Sequence, residues 1–573
     1  MEVEAPLGEP VTVTDTAHIA TVIESLEDDV YTLSLRVDGE ATHFPVMPGV
    51  VERESRRVRL RALDAQSLDI DRLQGASVAL HAEGVAETLR FGESEVIEVT
   101  RDGDRVAMLC RLPQSLQTRS KRRNARFTLV KGMNARVSMT LLPGQPAVQG
   151  RLCDLSACGC RVEFPLNQSA PCLPGNEIPA LEILFPNGSA LSLRGEIRHV
   201  TPAGRSHRVA MGVAFGELSA EQAERLVHAV NETEQELGYR TREAGQMAWP
   251  SPLYRSDRGV RSSALKRQSR QPQSSPMVKV LKDVARQLHL TLLKLQQRRP
   301  LPTAMLNLCA DRMLELHGQH RQNFLYALHC LGDEPAWVQH SIGVAGRLAD
   351  LLAVDEAMHG MVRDAVVGAL LHDMGKAMLL GRSLPSLVGE MSETQKLELR
   401  GHVDVLNTRL REVGWRGRPA TQLVIDTINE RLDGSGYPRG LTAESMSPLS
   451  RVAAVVDVID AMTRSRGDRP PQTAVEAYRC LYGAPGCFDK SWVTRYIQRH
   501  GFYPIGSLVR FSRGFLAWTM QLDESGQPSQ VRVVMNIAGK YSALDDIVSK
   551  IDFHELGKPD GLVRPEAYGL TPF

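Results

Sequence analysis

The residues in this chain whose types suit phosphate and metal chemistry fall into three stretches. His340 opens "HSIGVAGRLADLL", and "ALLHDMGK" sets His372, Asp373 and Lys376 behind an apolar run. An aspartate carried into a core by such a run needs a counter-charge, and a metal ion shared with histidines is an effective one. In the first half, "SKRRNARF" presents Lys121, Arg122 and Arg126, and "DLSACG" follows with Asp154, Ser156 and Gly159. Arginines four apart on an extended or irregular segment can converge on one anion, and a guanidinium can fork onto the O6 and N7 edge of guanine or stack on its face. Asp154 can accept from guanine N–H groups, Ser156 adds a hydroxyl, and Gly159 lets the backbone turn tightly or approach a ligand. The third stretch, "INERLDGSGYPRGL" from Ile428 to Leu441, has the glycine spacing of a closely specified loop.

These residues need elements to hold them, and composition limits which. The chain has 573 residues and a formal charge of +1. At about 150 residues per domain it should form roughly three or four units. The balanced charge argues against a nucleic-acid coat. No apolar run approaches the roughly 18–20 residues needed to cross a bilayer, and the acidic start "MEVEAPLGEP" does not resemble a signal peptide. The 9 cysteines, an odd number spread along the chain, do not form a disulfide framework, so a cytoplasmic protein is expected. Cys153, Cys158, Cys160 and Cys172 raise a zinc question, but paired C-x2-C spacing is absent. Cys160, Val162 and Phe164 instead alternate like the inner face of a strand.

Up to about residue 240 the pattern has period two. "YTLSLRV" sets Tyr31, Leu33, Leu35 and Val37 against polar neighbours, and "RRVRLRAL", "ARVSMTLL", "CRVEF", "LSLRGEIRHV" and "RVAMGVAF" continue it. This spacing predicts antiparallel strands in small β-barrels. Ser219 then opens a helix, with Gln222 completing a capping box and Leu226, Val227 and Val230 supplying its apolar face. Residues 241–276 are rich in Pro, Ser and Arg and read as a basic linker. From Met277 the period becomes helical, beginning with "VKVLKDVARQLHLTLLKL".

The order Arg122, Arg126, then Asp154, Ser156 and Gly159, within a barrel that ends in the "MGVAF" strand and a closing helix, resembles the PilZ domain, a bacterial receptor for cyclic di-GMP. The resemblance implies that Lys121, Arg122, Arg126, Asp154, Ser156 and Gly159 bind this dinucleotide. Residues 1–115 are similar to the N-terminal barrel of flagellar-brake proteins, on strand pattern and position more than on any motif.

His340, His372 and Asp373, with "RLDGSGYPRGL", resemble the HD-GYP family of the HD phosphohydrolase superfamily, which hydrolyses cyclic di-GMP. The likeness runs to about residue 520 and includes "PLSRVAAVVDVIDAMT". It implies a first metal held by His340, His372, Asp373 and Asp457, with iron, manganese or zinc as candidates, and a second reached by Asp373 and His402. Lys376 would act as a point charge at the phosphate. Glu430, Asp433, Gly434, Gly436, Tyr437 and Pro438 are the GYP motif, and Arg469 of "DRPPQ" is a phosphate contact. The chain departs from the pattern where the family carries two metal-binding histidines, because Ile428 and Asn429 stand there. Ile428 cannot ligate, and Asn429 offers only a neutral carbonyl. A glutamate that binds a third metal in some members is replaced by Ala336, with Glu334 nearby.

The expected architecture is therefore multidomain: an N-terminal antiparallel β-barrel (1–115), a PilZ β-barrel (116–240), the linker (241–276) and an all-α HD-GYP domain with a C-terminal extension (277–573). The expected function is bacterial cyclic di-GMP signalling in motility or biofilm control, with a PilZ receptor coupled to a metal-dependent phosphodiesterase whose second metal site is weakened. The alternative is a catalytically inactive effector whose HD-GYP domain binds a flagellar motor, pilus or diguanylate cyclase partner.

Overall fold

Alternating side chains sort themselves as the period requires. In Arg57–Ala62, Val58 and Leu60 are fully buried while the arginines between them face solvent. The computed structural model describes residues 11–572 apart from 27–30, 38–42, 63–69, 85–86, 103–104, 121–125, 143–144, 205–206, 242–248, 256–274, 382, 385, 388–390, 465–470 and 539–541. It divides into two compact units, one carried by residues up to 260 apart from 142–145 and 167–171, and the other by those two segments and the residues from 261 onward.

The first unit holds two antiparallel sheets. In one, Glu87–Asp102, Ser77–Gly84, Tyr31–Val37, His43–Glu52, Arg57–Ala62 and Arg105–Arg111 follow one another, and the last pairs back onto the first. That closure pairs both sides of the strands within the ring and leaves Val11–Val13 as an outer strand of the same sheet. Leu116–Ser120 pairs with the start of the long strand, so this sheet extends past residue 115. In the other sheet, Arg136–Thr140, Glu177–Leu184, Ala190–Pro202, Arg208–Phe215, Gly159–Pro165 and Val148–Ser156 form a six-stranded ring closed by pairing of the first with the last. Cys160, Val162 and Phe164 point into its core, as their spacing requires.

The helix Ala220–Thr241 begins with the expected capping box, Ser219 and Gln222 each accepting from the other's backbone N–H. Its buried face carries Leu226, Ala229 and Val230, whereas Val227 is half exposed. Residues 226 and 230 share a face at i,i+4, and 227 lies about 100° away from it. Part of the expected linker is also ordered on this unit. Pro252–Tyr254 forms a single 3₁₀ turn with Leu253 and Tyr254 buried, and the Tyr254 hydroxyl lies 2.8 Å from that of Thr233. The composition of 241–276 hides these two apolar residues among its arginines and serines.

The second unit is helical from Pro276 to His500. Its core is continuous, built on such side chains as Leu288, Phe324, Leu348, Leu370, Val424 and Val456. The helix Met374–Leu379 approaches His402–Glu412 so closely that a Cβ on Gly375 would lie 2.0 Å from the His402 carbonyl oxygen. After the helices comes a five-stranded antiparallel sheet, Leu508–Phe511, Phe515–Leu522, Pro528–Asn536, Ser542–Ser549 and Pro559–Leu562. The all-α reading of 277–573 holds for the helical part and leaves this sheet out. Leu508, Leu516 and Trp518 join the helical core. No described helix is long and apolar enough to cross a membrane.

Asp350 ties four of these helices together. It is fully buried on Ala336–Leu352 and accepts from Arg321 at 2.6 and 2.8 Å, Arg499 at 2.9 and 3.2 Å, and His317 at 2.7 Å. Burial pushes its carboxyl up, but the bonds from His317 and Arg321 outweigh it and hold the group well below the usual carboxylate range. The resulting stabilisation is full above the unfolded-state value of about 3.9 and is lost as the pH falls below it. We expect Asp350→Ala to cost this unit about 3–5 kcal/mol at neutral pH. In denaturant unfolding followed by helical circular dichroism, the gap from the parent should narrow below about pH 4.

Candidate metal centre and nucleotide site

Three helices and one helix end bring together side chains that are far apart in sequence. His340 lies one turn inside Ala336–Leu352, His372 and Asp373 follow Val362–Leu371, Asp457 lies on Pro448–Thr463, and His402 begins His402–Glu412. All five are buried. Ligand atoms of His340, His372 and Asp457 lie within 4.8 Å of one another, a spacing that can hold one metal ion. Asp373 stands beside them, its oxygens 3.5 Å from His340 Nε2, 3.3 Å from His372 Nε2 and 3.5 Å from His402 Nε2.

The hydrogen bonds decide which nitrogen is free to bind. His372 Nδ1 lies 2.7 Å from the Ala369 carbonyl and His402 Nδ1 2.7 Å from the Leu399 carbonyl. A carbonyl only accepts, so each Nδ1 carries a proton and Nε2 is left for a ligand. His372 Nε2 and His402 Nε2 are buried with no hydrogen-bond partner among the described residues, and both face Asp373 Oδ1, which Lys376 Nζ also approaches at 2.7 Å. Lone pairs facing carboxylate oxygens in a dry interior call for a cation between them. The donor set of imidazole nitrogens and carboxylate oxygens suits a first-row transition metal.

Local charge supports the same arrangement. Burial raises Asp373 and Asp457, but Lys376 beside the first, and the bond from His340 to the second, hold both well below the normal range. Burial, and then Lys376, depress His402 to about 4, so its ring is neutral at pH 7. Lys376 Nζ lies 2.7 Å from the Asp373 carboxylate.

A second layer was not foreseen from the sequence. His340 Nδ1–H donates to Asp460 Oδ2 at 2.7 Å, which turns Nε2 toward Asp457, 3.0 Å away. Asp460 in turn accepts from Arg347 at 2.7 Å and from both ends of the Arg464 guanidinium at 3.0 Å. The available signal was a second aspartate three residues beyond Asp457 in an otherwise apolar helix. Glu334 is separately committed, with its carboxylate 2.8 Å from His289 Nε2.

Ile428 and Asn429 follow the helix Pro419–Thr427 and are both buried. Ile428 belongs to the apolar core, and Asn429 Nδ2 has no partner among the described residues. The loop beyond them is fixed by Glu430, whose fully buried carboxylate accepts the backbone N–H of Arg439 at 2.7 Å and of Leu441 at 3.0 Å. Gly434 has φ +79°, and Gly436 lies so near Glu430 and Arg431 that no Cβ would fit. Tyr437, joined to Pro438 by a cis peptide, sets its ring edge-on to His402 at 5.9 Å, beneath the Arg400 guanidinium at 5.7 Å. Asp433 accepts from the Ser435 hydroxyl and N–H at the exposed tip. The motif thus shapes one wall of the His402 side. Arg469 lies outside the described residues.

In the second barrel, Asp154 and Ser156 end the strand Val148–Ser156, and Gly159 begins the next across a tight hairpin. Ser156 Oγ donates to the Gly159 carbonyl at 2.9 Å. A Cβ on Gly159 would meet the Val213 carbonyl oxygen at 2.2 Å, so the neighbouring strand requires glycine there. Asp154 is buried and is reached by Arg126 at 3.3 Å and by Arg161, also at 3.3 Å. Arg161 was not foreseen, because two residues beyond a hairpin glycine its direction depends on register. Lys121 and Arg122 lie outside the described residues. Among the described residues no cysteine joins a metal-type cluster.

Comparison with known proteins agrees with this division. Residues 119–232 match the PilZ domain family and residues 305–491 the HD domain family. A cyclic di-GMP phosphodiesterase of Pseudomonas aeruginosa is 30% identical over 230 residues, 39% of this chain and 53% of the relative. The cyclic di-GMP phosphodiesterase response regulator RpfG of Xanthomonas campestris is 31% identical over 155 residues, 27% of this chain and 40% of its own. The Escherichia coli YcgR structure in complex with c-di-GMP aligns with 40% of this chain and 95% of that chain, at 16% identity and TM-score 0.23. The chain spans about half the length or less of these two curated relatives. It carries a PilZ domain followed by an HD domain related to those of cyclic di-GMP phosphodiesterases.

Proposed function

We propose that this protein is a cyclic di-GMP signalling protein: its PilZ domain binds the dinucleotide, and its HD domain hydrolyses the same molecule at a centre with one complete metal site. The observation that carries the reading is the pair of buried, unpartnered ring nitrogens, His372 Nε2 and His402 Nε2, gathered with the Asp373 carboxylate beside His340 and Asp457. His340, His372, Asp373 and Asp457 would hold the metal. A divalent transition metal held there supplies Lewis acidity toward a phosphate and a nucleophilic water at neutral pH. Lys376, now bound to Asp373, would turn to the scissile phosphate as a point charge. Tyr437 and the GYP loop would wall the substrate side at His402. In the PilZ domain, Arg126 and Arg122 would take phosphate and guanine, with Asp154, Ser156 and Gly159 forming the opposite side.

A second reading is an effector that binds cyclic di-GMP without turnover. It is favoured by Ile428, which is locked in the apolar core where the family places a ligand, and by the neutral Asn429 beside it. Single-turnover hydrolysis of cyclic di-GMP, with metal content determined on the same anaerobic sample, separates the two. The enzyme reading expects turnover that disappears, together with most of the metal, in Asp373→Ala. Bound nucleotide with no turnover selects the effector.

Two further substitutions have defined outcomes. Arg126→Ala should weaken cyclic di-GMP binding by about tenfold or more while leaving metal content unchanged, since it removes a charged partner only in the PilZ domain. Unaltered nucleotide affinity would place the binding site elsewhere. Asp460→Asn should lower metal affinity about 10–100-fold by weakening the acceptor that orients His340. Competition with a chelating dye reads that change directly.

A further inference from the structure

Behind the metal-type cluster, between the last helices and the C-terminal sheet, lies a cavity of about 410 Å³. Asp460 is on its wall, but His340, His372, Asp373, Asp457, Lys376 and His402 are not. Most of the lining is apolar, with Ile505, Leu508, Leu562 and Val563 among it. One side is charged, where Arg347 and Arg464 share the carboxylate of Asp460. Two guanidinium groups on one carboxylate leave a positive charge in excess. His329 does not change it, because this half-buried ring accepts an N–H of Arg347 and is neutral. Arg564 and Glu566, also in the lining, are exposed and of opposite sign. Trp518, also in the lining, is 1% exposed, and its indole N–H has no acceptor among the described residues. A buried donor of this kind is costly until an acceptor reaches it.

We propose that this cavity is an effector site for a small organic acid with an apolar body, and that the metal centre senses its occupancy through Asp460. The size and mainly apolar lining are those of small-molecule sites, and the few polar groups define a carboxylate acceptor. Asp460 Oδ2 is shared between Arg464 and His340 Nδ1–H. An anion that draws Arg464 toward the cavity frees that oxygen for His340, which makes His340 a better ligand and tightens metal binding. By linkage, bound metal tightens the acid equally. The coupling part rests on the metal-centre reading above, whereas acid binding does not.

Calorimetric titration of the full chain with octanoate, and with octanol as the uncharged control, tests both parts. Octanoate should bind once per chain, about tenfold more tightly than octanol and about tenfold more weakly to Trp518→Phe, which keeps a smaller aromatic ring and loses the donor. Val563→Trp, which fills the cavity, should abolish the signal with metal content unchanged. Saturating octanoate should raise manganese affinity in the parent but not in Val563→Trp. Absence of saturable octanoate binding, or equal binding to Val563→Trp, overturns the site. Octanoate binding with unchanged manganese affinity overturns the coupling. If manganese fails to bind at all, the metal reading falls, while the octanoate heats still decide the cavity.

Discussion

Asp373, Asp457 and Asp460 are buried within the helical unit, where a carboxylate without counter-charge costs several kcal/mol. Their surroundings answer that cost in two ways. Asp460 is neutralised by protein alone, through Arg347, Arg464 and the His340 N–H. Asp373 is answered by Lys376, yet its Oδ1 also faces the unpartnered ring nitrogens of His372 and His402. Asp460 thus sits in a protein-only ion-pair network, whereas Asp373 also faces two imidazole nitrogens. Gly375 lets His402 come near, and Asp350 clamps the helix that carries His340 to three others.

The loop from Glu430 to Pro438 is held without help from the side chains of Ile428 and Asn429. Its conformation rests on Glu430 bridging two backbone N–H groups and on glycines that leave room for that bridge. Neither support involves Ile428 or Asn429. Loop geometry and ligand count are physically independent here, so one can persist while the other changes. The metal-type cluster among the described residues is His340, His372 and Asp457, with His402 beside Asp373.

The PilZ domain follows the same electrostatic logic in a β framework. A buried Asp154 is met by Arg126 and Arg161 from different segments, and the hairpin between Ser156 and Gly159 fixes where that carboxylate stands. Arginine excess around one carboxylate in a rigid barrel leaves donors for an added anion.

Period and composition alone determined that two β-rich barrels precede a helical domain, because apolar alternation and helical spacing are local properties of the chain. The histidine–aspartate pair and the GYP stretch were equally legible, since motifs are written in consecutive residues. The chain also stated directly that Ile428 and Asn429 cannot ligate like imidazole. The tertiary structure decided the rest. Asp460, Arg347 and Arg464 act on His340 from 120, 7 and 124 positions away. Arg161 reaches Asp154 only through strand register. Leu253 and Tyr254 leave a basic linker to enter a core. The sheet after residue 507 was hidden because its strands are half buried against helices and share no sustained alternation. Partnership across the fold follows from how helices and strands approach one another, and no spacing in the sequence encodes that approach.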